Sequence, residues 1–301
     1  MKLDGTDIKQ EYSQTIKIDA GDLVEAVAFT ANGEYVVSGG YGGVQVWRVK
    51  DGERVATMKA GHVCYVTVSK DGRFIAAGSL WGDVLVWDGT TYERVFADKI
   101  PGDPTICDVD FSPDSSRLVS ANERNNTAII WGIEACQKVR TFDHHGQSVQ
   151  AAKYSPQGDR IATVSYHSVR FWDSNDGQLL VDVKVGLKPW RSLLWFGKSH
   201  LLVKDINSKI RQIDASTGST VSEWSVPHDG LSCIALPQHG KFIAYSTKDN
   251  ITFWDTLTHT QLGFISRSTE RRSIAFSPDH RLAIVSREKN IIIKTLSLVK
   301  V

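Results

Sequence analysis

The feature that most constrains this chain is a phrase of about ten residues, an apolar alternation ending in a short polar turn, that returns seven times in 301 residues. The copies read VEAVAFTANG, VCYVTVSKDG, ICDVDFSPDS, VQAAKYSPQG, WRSLLWFGKS, LSCIALPQHG and RRSIAFSPDH. The residues that close the alternation are Phe29, Val68, Phe111, Tyr154, Trp195, Leu236 and Phe276, separated by 39, 43, 43, 41, 41 and 40 positions. A second phrase follows each copy: VQVWR, VLVWD, AIIWG, VRFWD, IRQID, ITFWD and IIIKT. Its Trp47, Trp87, Trp131, Trp172, Ile213, Trp254 and Lys294 recur at 40, 44, 41, 41, 41 and 40. Chance would not hold two phrases in register seven times, so the chain is a repeat array rather than two ordinary domains.

Each unit is strand-like: period-two alternation, β-branched and aromatic residues, and turns of Gly, Asn, Asp, Ser and Pro. The second unit divides into VCYVTVS, RFIAAGS, DVLVWD and ERVFADK, four short strands joined by three turns. Four strands per unit and seven units predict an all-β fold, a seven-bladed β-propeller of four-stranded antiparallel blades, because such a sheet has an apolar face that only a neighbouring blade can cover. One domain over 1–301 is expected, with blades at about 21–60, 61–100, 101–144, 145–186, 187–227, 228–267 and 268–301. The seventh unit runs out after three strands, and YSQTIKID at 12–19 is expected to supply the missing outer strand and close the ring.

On these residues the chain resembles the WD-repeat family of propellers, over essentially residues 12–301. The resemblance is carried by Trp87-Asp88, Trp172-Asp173 and Trp254-Asp255, by the turns FSPDS and FSPDH, and by the Gly61-His62 pair that opens blade 2. Blades of that family are often locked by the Gly-His histidine, a turn aspartate, a strand Ser or Thr and the tryptophan. Here only blade 2 has the Gly-His pair, and Trp81 stands where its turn aspartate is expected; blades 5 and 7 carry Ile213 and Lys294 in place of the tryptophan. Stability is therefore expected mainly from apolar packing between blades, at roughly 25 cal/mol per Å² buried.

Composition narrows the functional classes. A net charge of +1, from 35 basic and 34 acidic residues, leaves no electrostatic footprint for nucleic acid. The N-terminus lacks a signal-peptide core and no segment is long and apolar enough to span a bilayer, so no membrane partner and an intracellular location, cytoplasm or nucleus, are expected. Cys64, Cys107, Cys136 and Cys233 are scattered without metal-ligand spacing and read as structural thiols. No nucleophile elbow, phosphate loop or metalloprotease motif is present, and Gly39-Gly40 and Gly42-Gly43 lead from strand to strand rather than into a helix. No catalytic residue, metal or cofactor is expected.

The resemblance implies that a partner is met on the top face, formed by the loops before the inner strands and the turns between second and third strands. The residue four before each closing residue is then expected at the channel mouth: Glu25, Cys64, Cys107, Gln150, Arg191, Ser232 and Arg272. Glu25 and Arg272 belong to blades that become neighbours on closure and are expected to form an ion pair. The top-face turns add Tyr41, Trp81, Arg124, His167, Asn207, Lys248 and Lys289, and the loop entering blade 5 adds Trp190. Aromatic residues interleaved with arginines match interaction hot spots. The partner-binding residues expected are Glu25, Tyr41, Trp81, Arg124, Gln150, His167, Trp190, Arg191, Lys248 and Arg272. Trp81 and Trp190 could instead cap gaps between blades, and Arg191 could be merely solvated. The expected function is a non-catalytic interaction scaffold for a peptide or protein. The alternatives are a sensor propeller normally part of a larger signalling receptor, and a carbohydrate-binding propeller stacking sugars on Trp81, Trp190 and Tyr41.

Overall fold

The computed structural model describes residues 15–143, 146–187, 193–207, 209–225, 233–237, 240–246, 250–266, 271–279, 281–286 and 289–295, the side chains of 266, 271, 272 and 282–286 excepted. Its strands form seven four-stranded antiparallel sheets. Six are built from consecutive strands, with inner strands Val24–Phe29, Val63–Val68, Ile106–Phe111, Ala151–Tyr154, Leu193–Phe196 and Cys233–Ala235 (blades 1 to 6). The seventh takes Arg271–Phe276, Arg281–Ser286 and Asn290–Thr295 from the end of the chain and Thr15–Asp19 from its start. Thr15 pairs with Lys294 and Asp19 with Asn290, so the chain's two ends share one sheet. The innermost strands touch in a closed cycle from blade 1 through blade 7 and back to blade 1. Among the described residues no helix is long and apolar enough to cross a membrane.

The core lies in the seams rather than inside any blade. Seven clusters of buried apolar side chains each draw on two adjacent blades. Trp87, for example, packs with Val37, Val46 and Met58 of blade 1. At the ring seam Ile18, Ile291 and Ile293 of blade 7 meet Val24, Phe29 and Trp47 of blade 1. Gly39 has a reason in this packing: a Cβ there would lie 2.5 Å from Val63 Cγ1, inside the next blade's inner strand. Gly78 meets Ile106 Cγ2 of blade 3 at 2.4 Å in the same way. The close approach of blades accounts for these glycines.

Polar contacts repeat with the same period. The residue after the closing position, Thr30, Ser69, Ser112, Ser155 or Ser277, accepts a backbone N–H from the start of the second strand, at 2.8 to 3.1 Å. Blades 5 and 6 have Phe196 and Pro237 there and lack the hydroxyl. In blades 1, 3 and 4 the tryptophan indole donates to a buried hydroxyl on the second strand: Trp47 to Ser38 at 2.8 Å, Trp131 to Ser120 at 3.0 Å and Trp172 to Thr163 at 2.7 Å. Ala77 fills that position in blade 2. Arginines on the opposite face from the expected binding surface reach across seams: Arg73 to Asp114 O at 3.1 Å, Arg117 to Ser174 O at 3.3 Å, Arg160 to Ala215 O, and Arg281 to Gly33 O at 2.7 Å. The packing expected from sequence is thus supplemented by a recurring latch that ties each of four blades to the next.

Candidate functional site

The site begins with an irregularity in the inner strands. In blades 1, 2, 3 and 7 the pairing of first and second strands slips by one residue: between Val24 and Ala26, Val63 and Tyr65, Ile106 and Asp108, and Arg271 and Ser273. The extra residues are Glu25, Cys64, Cys107 and Arg272. A bulge breaks strict alternation and re-aims one side chain, which is how polar residues leave a strand whose neighbours are buried. Glu25, Cys64 and Cys107, with Gln150 of blade 4, line one cavity of about 240 Å³, completed by His62, Leu80, Thr105 and Glu123. Four successive members of the expected mouth ring therefore share a single cavity.

His62 is the hinge of this site. Its ring stacks under Tyr41 of blade 1, with centroids 3.9 Å apart, and its Nε2 lies 3.8 Å from Glu25 Oε1. That separation is too long for a hydrogen bond, and Nε2 has no hydrogen-bond partner. Burial holds the imidazole below the usual histidine range, so the His62–Glu25 contact is one of a neutral ring beside a carboxylate near pH 7. The position where an aspartate would meet His62 is held by Trp81, half exposed at 51%. Its Cδ1 would lie 3.7 Å from a Cβ at Gly61, so the indole covers the glycine that precedes His62. The turn beneath is closed by Asp83, which accepts the Ser79 hydroxyl at 2.7 Å, while Ser79 Oγ accepts the Trp81 and Asp83 N–H groups. Trp81 is therefore neither free of the protein nor packed in a seam: one edge rests on its own blade and the rest faces solvent.

Gln150 is 7% exposed and its Nε2 has no hydrogen-bond partner. The Cys107 thiol donates weakly to Glu123 Oε2 at 3.9 Å and to Thr105 O at 4.0 Å. Cys64 and Cys107 depart from the buried role expected of thiols at the starts of apolar runs and are half-buried, whereas Cys233 is buried; Cys136 is exposed. The bulges turn the first two toward the cavity, and Cys136 sits at a turn with φ of 47°.

Below the mouth, a second cavity of about 310 Å³ shares Cys107 and Gln150 with the first and reaches Tyr65, Asp108, Asp110, Lys153 and Trp195. Lys153 Nζ donates to Asp108 Oδ1 at 2.7 Å and to Tyr65 OH at 3.3 Å, and lies 3.7 Å from Asp110 Oδ1. Asp108 Oδ2 accepts the Ala152 N–H at 3.2 Å and Asp110 Oδ2 the Tyr154 N–H at 2.9 Å, both from the neighbouring blade. The same seam bond recurs at closure, where Val27 N donates to Ser273 Oγ at 3.4 Å. Burial, reinforced by the Asp108 charge, pushes the Asp110 carboxyl up to about 6. Burial opposes the Lys153 ammonium, but the Asp108 and Asp110 carboxylates outweigh it and hold its pKa well above the ordinary value. This cluster escaped the sequence reading. Its signal was present in Asp108 and Asp110, two acids on alternate positions of a strand otherwise apolar, with Lys153 one blade on.

Of the other expected positions, Arg124 and His167 are exposed on second-to-third-strand turns of blades 3 and 4 and do not line the cavity. Lys289 reaches across the closing seam to Gly21 O at 3.0 Å, and Asn207 N donates to Asp205 Oδ1 at 2.8 Å. Trp190, Arg191, Ser232 and Lys248, and the side chain of Arg272 with its expected pairing to Glu25, lie outside the described residues. Among the described residues no group of three His, Cys, Asp or Glu side chains is placed to share a metal ion.

Comparison with known proteins follows the same geometry. The family model for the WD domain, G-beta repeat, matches residues 11–48, 52–88, 96–132 and 136–173. Each matched stretch runs from the outer strand of one blade through the three inner strands of the next, the offset that lets Thr15–Asp19 complete blade 7. The chain is 26% identical to Protein groucho of Drosophila melanogaster over 185 residues, 58% of this chain and 25% of that protein. It is 26% identical to Protein FIZZY-RELATED 3 of Arabidopsis thaliana over 171 residues, 55% of this chain and 35% of that protein. Protein HIR1 of Kluyveromyces lactis is 31% identical over 121 residues, 35% of this chain and 14% of that protein. The chain thus spans between about a quarter and a third of the length of the first two relatives. With the repeat matched four times in succession and the same offset closing the ring, the chain belongs to the WD-repeat family of β-propellers.

Proposed function

We propose that this propeller is a non-catalytic interaction module that binds a peptide segment of a protein partner across the mouth formed by blades 1 to 4. The observation that carries the reading is the pairing of two outward aromatics with a cavity that contains unpaired polar atoms. Tyr41 and Trp81 are 59% and 51% exposed, and the cavity beside them holds two buried nitrogens, His62 Nε2 and Gln150 Nε2, without hydrogen-bond partners. Buried polar atoms are normally satisfied, and a partner's backbone or side chain could complete these. Exposed aromatics at the rim supply the area that anchors such a segment. The cavity is below the roughly 300–1,000 Å³ of small-molecule sites, which favours one side chain of a longer ligand.

The test is selection of twelve-residue peptides from a random display library on the full chain, followed by rebinding to Trp81→Ala and Tyr41→Ala. Selected peptides are expected to lose at least about tenfold in affinity on either variant, with melting temperature nearly unchanged for Trp81→Ala. Peptides that bind both variants as well as the wild type would place the working surface elsewhere.

A further inference from the structure

Among the described residues the charges that line the mouth cavity are acidic, although the chain as a whole is nearly neutral. Two carboxylates, Glu25 and Glu123, line the cavity, and among the described residues no lysine or arginine lines it. His62 brings no compensating charge near pH 7, since burial disfavours its protonation. In the adjoining cavity, Lys153 is the one cation paired with Asp108 and Asp110 among the described residues. Glu25 is already engaged by a further interaction, whereas among the described residues the Glu123 carboxylate receives only the weak Cys107 thiol donor at 3.9 Å. On another wall of the same cavity the buried Gln150 has a side-chain Nε2, a donor, without a hydrogen-bond partner. At the rim, Tyr41 has one face on His62 and is 59% exposed, and Trp81 is 51% exposed.

We propose that the mouth cavity takes a basic side chain, arginine or lysine, from the bound segment, with Glu123 as its counter-charge, Gln150 Nε2 donating to a carbonyl of the same segment and Tyr41 and Trp81 at the rim beside its stem. The inference rests on the reading of this face as a peptide-binding surface and adds the chemistry of the residue that enters. A carboxylate held in a half-buried cavity is under-solvated, so an incoming cation gains more there than at an open surface. The aromatic rims add cation–π attraction for a guanidinium or ammonium passing beside them. An acidic or apolar side chain would leave Glu123 further desolvated and is disfavoured by the same terms.

The experiment uses the peptides selected on the full chain. Those whose binding needs Trp81 are expected to share a basic residue at one position. Replacing that residue by citrulline or norleucine, which keep length and remove charge, is expected to weaken binding at least about tenfold. Glu123→Gln, nearly isosteric, is expected to weaken the arginine or lysine peptides by a similar factor while leaving the citrulline peptides unchanged, with melting monitored for each variant. Glu123→Lys is expected to reject the basic peptides altogether. Trp81-dependent peptides with no common basic residue, or basic peptides indifferent to Glu123→Gln, overturn the inference and leave the peptide-binding reading standing. Failure to select any Trp81-dependent peptide defeats both.

Discussion

Tyr41 of blade 1 stacks on His62 of blade 2 with ring centroids 3.9 Å apart, so the seam between these blades is roofed by an aromatic pair rather than by the histidine's family partner. The lid contributes to the burial that lowers the His62 pKa. Tyr41→Ala is therefore expected to raise that pKa toward the ordinary value of about 6.5. A pH titration of the His62 imidazole protons by NMR reads the change directly. An unaltered titration curve would show that the ring's burial comes from the cavity walls instead.

The indole of Trp172 is almost wholly buried and donates to Thr163 Oγ1 at 2.7 Å. Thr163→Val keeps the shape and removes the acceptor, leaving the N–H unsatisfied at a cost of about 1–3 kcal/mol. Urea denaturation should show a lower midpoint at unchanged slope. Blade 2 already has Ala77 at that position, so Ala77→Ser is the reciprocal gain, expected to be stabilising wherever the hydroxyl fits.

Arg160 begins the second strand of blade 4 and donates to Ala215 O of blade 5. Arg160→Ala removes a charge-assisted bond across a seam and is expected to cost about 1–2 kcal/mol, discounted for the residue's partial exposure. Hydrogen exchange should show faster opening confined to blades 4 and 5, and uniform loss of protection around the ring would argue against a local latch.

Asp110 carries a pH signature. Its ordinary carboxyl value is 3.8, and in the fold burial and the Asp108 charge raise it to about 6. A folded value above the unfolded one means that ionisation opposes folding: the cost is absent below about pH 4, grows as pH rises to 6, and stands in full above it. Asp110→Asn keeps an acceptor for the Tyr154 N–H and removes the cost. The variant is expected to be more stable than the wild type by roughly 2–3 kcal/mol at pH 7.5 and to converge with it near pH 4. A gap that does not change with pH would refute the account.

Thr15–Asp19 supplies the outer strand of blade 7, and Ile18, 3% exposed, packs with Ile291 and Ile293. Deleting residues 1–19 strips five paired residues from Asn290–Thr295 and opens the seam, and is expected to lower the melting temperature on the order of 10 °C or more. An unchanged melting curve would disprove closure by this strand.

Much of the fold was legible in the chain because its rules are local. Alternation in VCYVTVS and DVLVWD predicts strands, Ser-Pro-Asp and Lys-Asp-Gly predict turns, and a period near 41 residues predicts the unit. Even the outer strand at the chain's start followed from counting strands in the last unit. Part of the site was legible too: the ring rule reached Glu25 and Gln150, and top-face position reached Tyr41 and Trp81. The same rule also names Arg124 and His167; none of these four turn residues lines the cavity, and Tyr41 is set apart by its stacking on the lining residue His62.

What the sequence alone determined was the blade and its repetition, since both follow from side-chain period and turn chemistry within a few tens of residues. What tertiary structure decided was which residues meet. The slips that turn out Glu25, Cys64 and Cys107 depend on how each inner strand registers against the next strand, and alternation by itself would have spaced them evenly. Lys153 meets Asp108 across 45 positions of sequence, and His62 lies beneath Tyr41, because neighbouring blades bring together positions about one repeat or half a repeat apart. Nothing in a local pattern encodes the seam, where low dielectric makes a single unmatched charge or an unpaired nitrogen matter. The grouping of Glu25, His62, Cys107 and Gln150 around one cavity, with Tyr41 stacked on His62, exists only once the blades pack side by side.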